Sequence, residues 1–201
     1  MNKGFTVWFT GLPGSGKTTL AQELELALLE RGLSVEVLDG EIIRTNISSG
    51  LTFSKEDRDQ NVRRIGYVCQ LLSRNSVAAI AAAIAPYQAA RQENRQAISR
   101  YVEVYCRRPL EALIAEDPKG LYQKAKAGEI TSFTGISDPY EEPLEAEIIV
   151  ETDQEAVTES LAKVLCALEL KGYIPAIPGE SSYSAEEEER LKARLKDLGY
   201  L

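Results

Sequence analysis

Residues 11–18 read Gly11-Leu12-Pro13-Gly14-Ser15-Gly16-Lys17-Thr18 and match the pattern G-x-x-x-x-G-K-[ST] at every fixed position. The motif constrains the fold because it works only between a strand and the start of a helix. Both neighbours are present. Residues 5–10 are rich in β-branched and aromatic side chains and suit a buried strand. After Lys17, apolar Leu20, Leu24, Ala27 and Leu28 recur at helical spacing, and Gly32 stands where a helix ends. In that setting the glycines let backbone N–H groups turn toward a phosphate, and the helix N-terminus adds partial positive charge. The expected ATP-binding set is Gly11, Leu12, Pro13, Gly14, Ser15, Gly16, Lys17, Thr18 and Thr19, with Lys17 reaching the β/γ-phosphates and the Thr18 hydroxyl on Mg²⁺.

The rest of the chain repeats the alternation of strand and helix. Residues 34–38 read as a second strand, with Asp39 at its carboxyl end, where ligands of open α/β sheets collect. Ser54 with Asp57 resembles a capping box, followed by a helix face of Val62, Ile65, Cys69 and Leu72. Residues 77–84, 101–106 and 147–150 suit buried strands, Pro109 can open a helix, and residues 154–170 form the last helix of the domain. Residues 117–142 carry glycines, many charges and little apolar periodicity, and read as a lid or binding loop. The pattern predicts one α/β domain over residues 1–173, a parallel doubly wound sheet flanked by helices.

Residues 174–184 have the proline, glycine and serine content of a linker. Ser184 with Glu187 would cap an amphipathic helix over residues 185–201, whose stripe of Leu191, Leu195 and Leu198 needs something to cover it: its own domain, a second copy or a docking partner.

Composition removes several function classes. A net charge of −8 argues against a broad nucleic-acid surface. There is no histidine, and Cys69, Cys106 and Cys166 lie far apart, which disfavours a zinc site or a disulfide framework and suits reduced thiols in the cytoplasm. No apolar run is long enough for a membrane span, and the chain starts on a strand without a signal-peptide pattern.

Further blocks narrow the reading: Leu38-Asp39-Gly40-Glu41-Ile42-Ile43-Arg44; Phe53-Ser54-Lys55-Glu56-Asp57-Arg58 with Asn61-Val62-Arg63-Arg64-Ile65-Gly66; Ile84-Ala85-Pro86-Tyr87 with Arg91; and Lys119-Gly120-Leu121-Tyr122 continuing through Ala127-Gly128-Glu129-Ile130 to Phe133-Thr134-Gly135-Ile136. Together with the phosphate loop they closely resemble the adenylylsulfate kinases, over residues 6–170. The resemblance implies a homodimeric kinase that transfers the γ-phosphoryl group of ATP to the 3′-hydroxyl of adenosine 5′-phosphosulfate (APS), with ATP sulfurylase as a further candidate partner. It implies catalytic roles for Lys17, Asp39 and Glu41, and acceptor contacts from Arg44, Phe53, Arg58, Asn61, Ile84, Ala85, Lys119 and Phe133. Guanidinium forks suit a phosphosulfate, and a flat base between Phe53 and Phe133 would be held by stacking. As bare residues, Arg58 and Lys119 could equally be solvated charges, and the two phenylalanines core aromatics.

The chain departs from that family at several points. Glu41 stands where the family has aspartate, one methylene further out. Ala85 replaces a serine, Glu116 an arginine, and Lys126 a lid arginine, while Gln88 and Ala90 lower the charge after Tyr87. These differences keep two alternatives open: a nucleotide-binding regulatory relative, and a kinase for a related nucleotide acceptor.

Overall fold

The computed structural model describes residues 3–176 and 184–200. Five parallel strands lie in the order β2-β3-β1-β4-β5, namely β1 (Phe5–Thr10), β2 (Val35–Asp39), β3 (Ala78–Ala82), β4 (Tyr101–Arg107) and β5 (Ile148–Glu151). All five point the same way, so every strand's carboxyl end reaches one edge. β1 is central and buried along its whole length, with Val7 opposite Ile80 on one side and Val102 on the other. That placement explains why its residues show no polar alternation: helices cover both faces.

One face is covered by α1 (Lys17–Glu30) and α7 (Val157–Leu170), which close a core of Phe5, Phe9, Leu24, Leu28, Val164 and Leu168. The other face carries α3 (Lys55–Arg74) and α4 (Gln88–Ala97), which pack Ile65, Cys69 and Ala90 in one core with Trp8 of β1 and Ala79 and Ala81 of β3. α3 begins at the expected cap: Ser54 Oγ accepts from Asp57 N–H. Gly66 lets α4 approach closely, since a Cβ there would lie 1.9 Å from Asn94 Oδ1. Cys69, Cys106 and Cys166 are all buried.

The structure also holds elements that the sequence pattern did not suggest. α2 (Gly40–Asn46) starts directly off β2, with Asp39 as its N-cap. α4 fills the stretch after Tyr87. The charged stretch of residues 117–142, read as irregular, contains a six-residue helix, α6 (Leu121–Lys126), which follows the helix expected after Pro109, α5 (Leu110–Glu116).

The tail forms α8 (Ala185–Asp197), started by the expected reciprocal capping box between Ser184 and Glu187. Leu195 is fully buried and Leu191 packs on the α1/α7 core, while Arg194 Nε donates to Ala146 O at 2.6 Å. Its apolar stripe is thus covered by its own domain. Most of the expected linker, residues 177–183, lies outside the described residues, and Ile174 at its head is already part of the core. Among the described residues no helix is long and apolar enough to cross a membrane.

Candidate active site

The phosphate loop joins β1 to α1 and sits at the carboxyl edge beside the central strand. Gly14 and Gly16 take φ of +79° and +83°, a left-handed conformation that side chains rarely adopt, and so give the loop its curl. Gly16 is the N-cap residue of α1, which places Lys17 in the first helical turn. Lys17 Nζ donates to Leu12 O at 2.7 Å and folds back over the loop. Burial lowers its pKa to about 8, against the opposing pull of Cys106, Asp39 and Glu41. Ser15 is buried in the loop, whereas Thr18 and Thr19 are exposed on the first turn of α1.

Asp39 has two jobs. Its Oδ2 accepts from Thr18 Oγ1 at 2.9 Å, and its Oδ1 accepts from Glu41 N at 2.9 Å and Ile42 N at 3.4 Å, capping α2. Glu41 follows on the first turn of α2, exposed, with its Oε1 3.6 Å from Lys119 Nζ. The sequence-expected catalytic and lid residues therefore meet: Lys17 and Thr18 from α1, Asp39 from β2, Glu41 from α2 and Lys119 from the lid.

Residues expected to contact the acceptor form a second group on the α2–α3 side. Phe53 is 52% exposed, with the guanidinium of Arg44 4.5 Å and that of Arg58 5.3 Å from its ring centroid. Arg44 also donates to Thr52 O at 3.0 Å. Arg58 is buried and heavily committed: it donates to Phe53 O at 2.8 Å, Thr134 Oγ1 at 2.9 Å, Asp138 Oδ2 at 3.1 Å and Ser132 O. It thereby ties the start of α3 to both flanks of Phe133, so the two aromatics are linked through one guanidinium. Phe133 meets Tyr122 edge-to-face at 5.0 Å between centroids. Asn61, one turn after Arg58, is buried, and its Oδ1 accepts no hydrogen bond from the described residues. Ile84 O accepts from Thr10 Oγ1 at 2.6 Å, and Ala85 O from Arg91 Nη1 at 2.6 Å.

Several contributors escaped sequence reasoning. Tyr122 on α6 donates to Pro13 O at 2.7 Å and so docks the lid on the phosphate loop. Asp117 accepts from Leu121 N at 2.8 Å and Gln123 N at 3.0 Å, which starts α6 just after Lys119. Glu116, the reversed charge, pairs with Arg108 across α5. Tyr122 stands in a block quoted above and Asp117 opens the stretch read as a lid or binding loop, but nothing in their spacing says what they touch. A cavity of about 870 Å³, lined by Leu12, Tyr105, Arg108, Leu110, Gly135 and Tyr140, opens between the loop and the lid's return, a volume fit for a nucleotide-sized ligand.

The adenylylsulphate kinase family model matches residues 3–151. The chain is 56% identical over 172 residues to a probable bifunctional SAT/APS kinase of Sorangium cellulosum, covering 86% of this chain and 30% of that one. It is 54% identical over 172 residues to an adenylyl-sulfate kinase of Rippkaea orientalis, covering 86% and 95%. Its structure aligns with the APS kinase of Mycobacterium tuberculosis, solved in complex with AMPPNP and APS, at a TM-score of 0.80 and 40% identity, covering 84% of this chain and 99% of that one.

Proposed function

The chain belongs to the adenylylsulphate kinase family and catalyses ATP-dependent phosphorylation of adenosine 5′-phosphosulfate, and we propose that Lys17, Asp39 and Glu41 carry that chemistry. The observation that carries the assignment is the contact of Thr18 with Asp39, with Glu41 on the next helical turn and Lys119 facing it. Phosphoryl transfer asks a protein mainly to position groups and to stabilise charge. Lys17 would move from Leu12 O to the β/γ-phosphates of ATP, held by residues 11–19. Glu41 would accept the proton of the acceptor's 3′-hydroxyl. Lys119, across from it, would bring a positive charge to the transferred group as the lid closes.

The donor set fits a hard cation. The Thr18 hydroxyl and Asp39 carboxylate are adjacent oxygen ligands of the kind Mg²⁺ takes, together with substrate phosphates and water. Mg²⁺ would supply charge neutralisation of the phosphates. Among the described residues no cluster of three or more His, Cys, Asp or Glu could hold a metal by itself.

For the acceptor, the reading places the base between Phe53 and Phe133 and the anionic phosphosulfate near Arg44, with Asn61 Oδ1 as an open acceptor. Arg58, with most of its N–H groups already used, would shape this pocket more than it would grip the anion. Ile84 and Ala85 would form the wall opposite. We further propose a homodimer in the cytoplasm. Exposed Ile42, Ile47 and Tyr67 on the α2–α3 side support a second copy, and the buried, unbridged thiols of Cys69 and Cys106 suit a reducing compartment. Because the apolar stripe of α8 lies on its own domain, a separate ATP sulfurylase would have to meet another surface of this chain.

The test is APS-dependent release of ADP in a coupled assay. Turnover with APS and none without it supports the assignment. ATP binding without APS-dependent turnover overturns it.

A further inference from the structure

Ala85 adopts φ of +46°, a left-handed conformation unfavourable for a side-chain-bearing residue and disfavoured again by the proline that follows it. Something must hold it there. That something is Arg91 of α4, which is 3% exposed. Its Nη1 donates to Ala85 O at 2.6 Å and its Nη2 to Glu141 O at 2.7 Å. The same two segments are zipped again by Glu141 N to Pro86 O at 2.8 Å and by Gln88 N to Glu141 Oε2 at 2.7 Å. Arg91 thus clamps the turn after β3 to the return of the lid.

Arg91 is itself placed by a buried ion network. Its Nε lies 3.3 Å from Glu103 Oε1, and Glu103 Oε2 lies 3.3 Å from Arg95 Nη2. Arg95 grips Glu147 with both Nη atoms, at 2.7 and 2.9 Å. The network ends on the tail: Arg95 Nη1 donates to Tyr200 Oη at 2.6 Å, and Lys171 Nζ sits 3.0 Å from the centroid of the Tyr200 ring. The contacts run without a gap from Tyr200 through Arg95, Glu103 and Arg91 to Ala85 and Glu141. Tyr200 lies beyond residues 3–151, the stretch matched by the family model.

We infer that Arg91 is a positioning residue for the acceptor wall, and that Tyr200, docked by α8, sets its placement through Arg95 and Glu103. The inference rests on the reading that Ile84 and Ala85 flank the acceptor. The two-state element is the tail, docked or released, and a released Tyr200 leaves Arg95 without one of its partners, which loosens its hold on Glu103. Tyr200 touches neither the phosphate loop nor Glu41 in any contact above, so the effect should fall on acceptor binding.

Tyr200→Phe keeps the ring over Lys171 and removes only the hydroxyl, so the protein should fold. Expected are a rise of about two- to thirtyfold in KM for APS, the range of typical site-to-site couplings, with kcat and KM for ATP nearly unchanged. Amide hydrogen exchange should quicken at residues 85–91 and 141 in the same variant. Combined with Arg91→Lys, the two effects should be non-additive. An unchanged KM for APS with unchanged exchange at residues 85–91, or additive effects, would overturn the relay. Lower thermal stability with neither change would make Tyr200 merely structural and likewise overturn it. If the wild type has no APS-dependent turnover at all, the functional reading fails, while the exchange measurement still decides the relay.

Discussion

Thr18 Oγ1 donates to Asp39 Oδ2 across 2.9 Å, joining the first turn of α1 to the last residue of β2. The two residues are far apart in the chain and meet because β2 and β1 end at the same edge of a parallel sheet, with β3 between them. One hydroxyl and one carboxylate are thereby held side by side, the pair proposed above to take a cation that carries phosphates.

Burial holds the folded-state pKa of Lys17 at about 8, below the ordinary 10.5. Between those values the unfolded chain binds the extra proton, so this group's contribution to stability rises with pH across the window. Activity should move the other way. The free enzyme loses the loop's cation, and kcat/KM for ATP falls as pH climbs through about 8. kcat should hold to higher pH, because bound phosphates restore the charge. pH–rate profiles check this, and a kcat/KM flat across the window would refute it. Lys17→Ala should abolish turnover at every pH.

Glu41→Gln keeps the size and removes the carboxylate. It should lower kcat by about 10²–10⁴-fold, the usual worth of general-base assistance, measured as single-turnover ADP release. Glu41→Asp should retain activity, since it keeps the carboxylate. Equal rates for Glu41→Gln and wild type would leave catalysis to positioning and charge alone.

Arg58→Ala should do more than weaken acceptor binding. It strands Asp138 and frees Ser132 O, Thr134 Oγ1 and Phe53 O. Removing one partner of a largely buried ion pair costs about 3 kcal/mol, so the denaturant midpoint should drop clearly. KM for APS should rise more than KM for ATP, because both aromatics lose their common tie. A variant with native stability and a raised KM for APS alone would show instead that Arg58 meets the substrate directly.

Gly66→Ala tests the packing that carries α3. The new methyl would meet Asn94 Oδ1, which is buried between the helices while Asn94 Nδ2 donates to Val62 O at 3.3 Å. Overpacking of this kind costs about 1–3 kcal/mol. Equilibrium unfolding should show that loss. An unchanged midpoint would mean that α4 yields at no cost.

How much of this was legible in the sequence varied with the range of the forces involved. The phosphate loop was, since its glycine spacing encodes backbone geometry directly. The caps at Ser54 and Ser184 were too, because capping is local. α2 and α6 were not: at seven and six residues they are too short for periodicity, and each is started by a carboxylate, Asp39 or Asp117, whose sequence context suggested chemistry or a loop. The network of Glu103, Glu147 and Arg95 was hidden for another reason. Glu103 sits between Val102 and Val104 in a strand covered on both faces, where alternation would suggest solvent. Its partners come from α4 and from Glu147 just before β5, and no local rule connects them. Arg58 was found as a residue, but its burial among lid carbonyls was not.

β3 reads Ala78-Ala79-Ile80-Ala81-Ala82, and Ala79 and Ala81 face Ile65 and Cys69 of α3. These methyl groups work as a spacer. They fix how far the helix bearing Arg58 and Asn61 stands from the sheet bearing the phosphate loop, and on the proposed assignment that distance is the gap between acceptor and donor. Adding carbon at Ala79 or Ala81 would widen that gap from below without touching a single polar atom of the site. The reach of the transferred phosphoryl group is thus partly written in the thinnest layer of the apolar core.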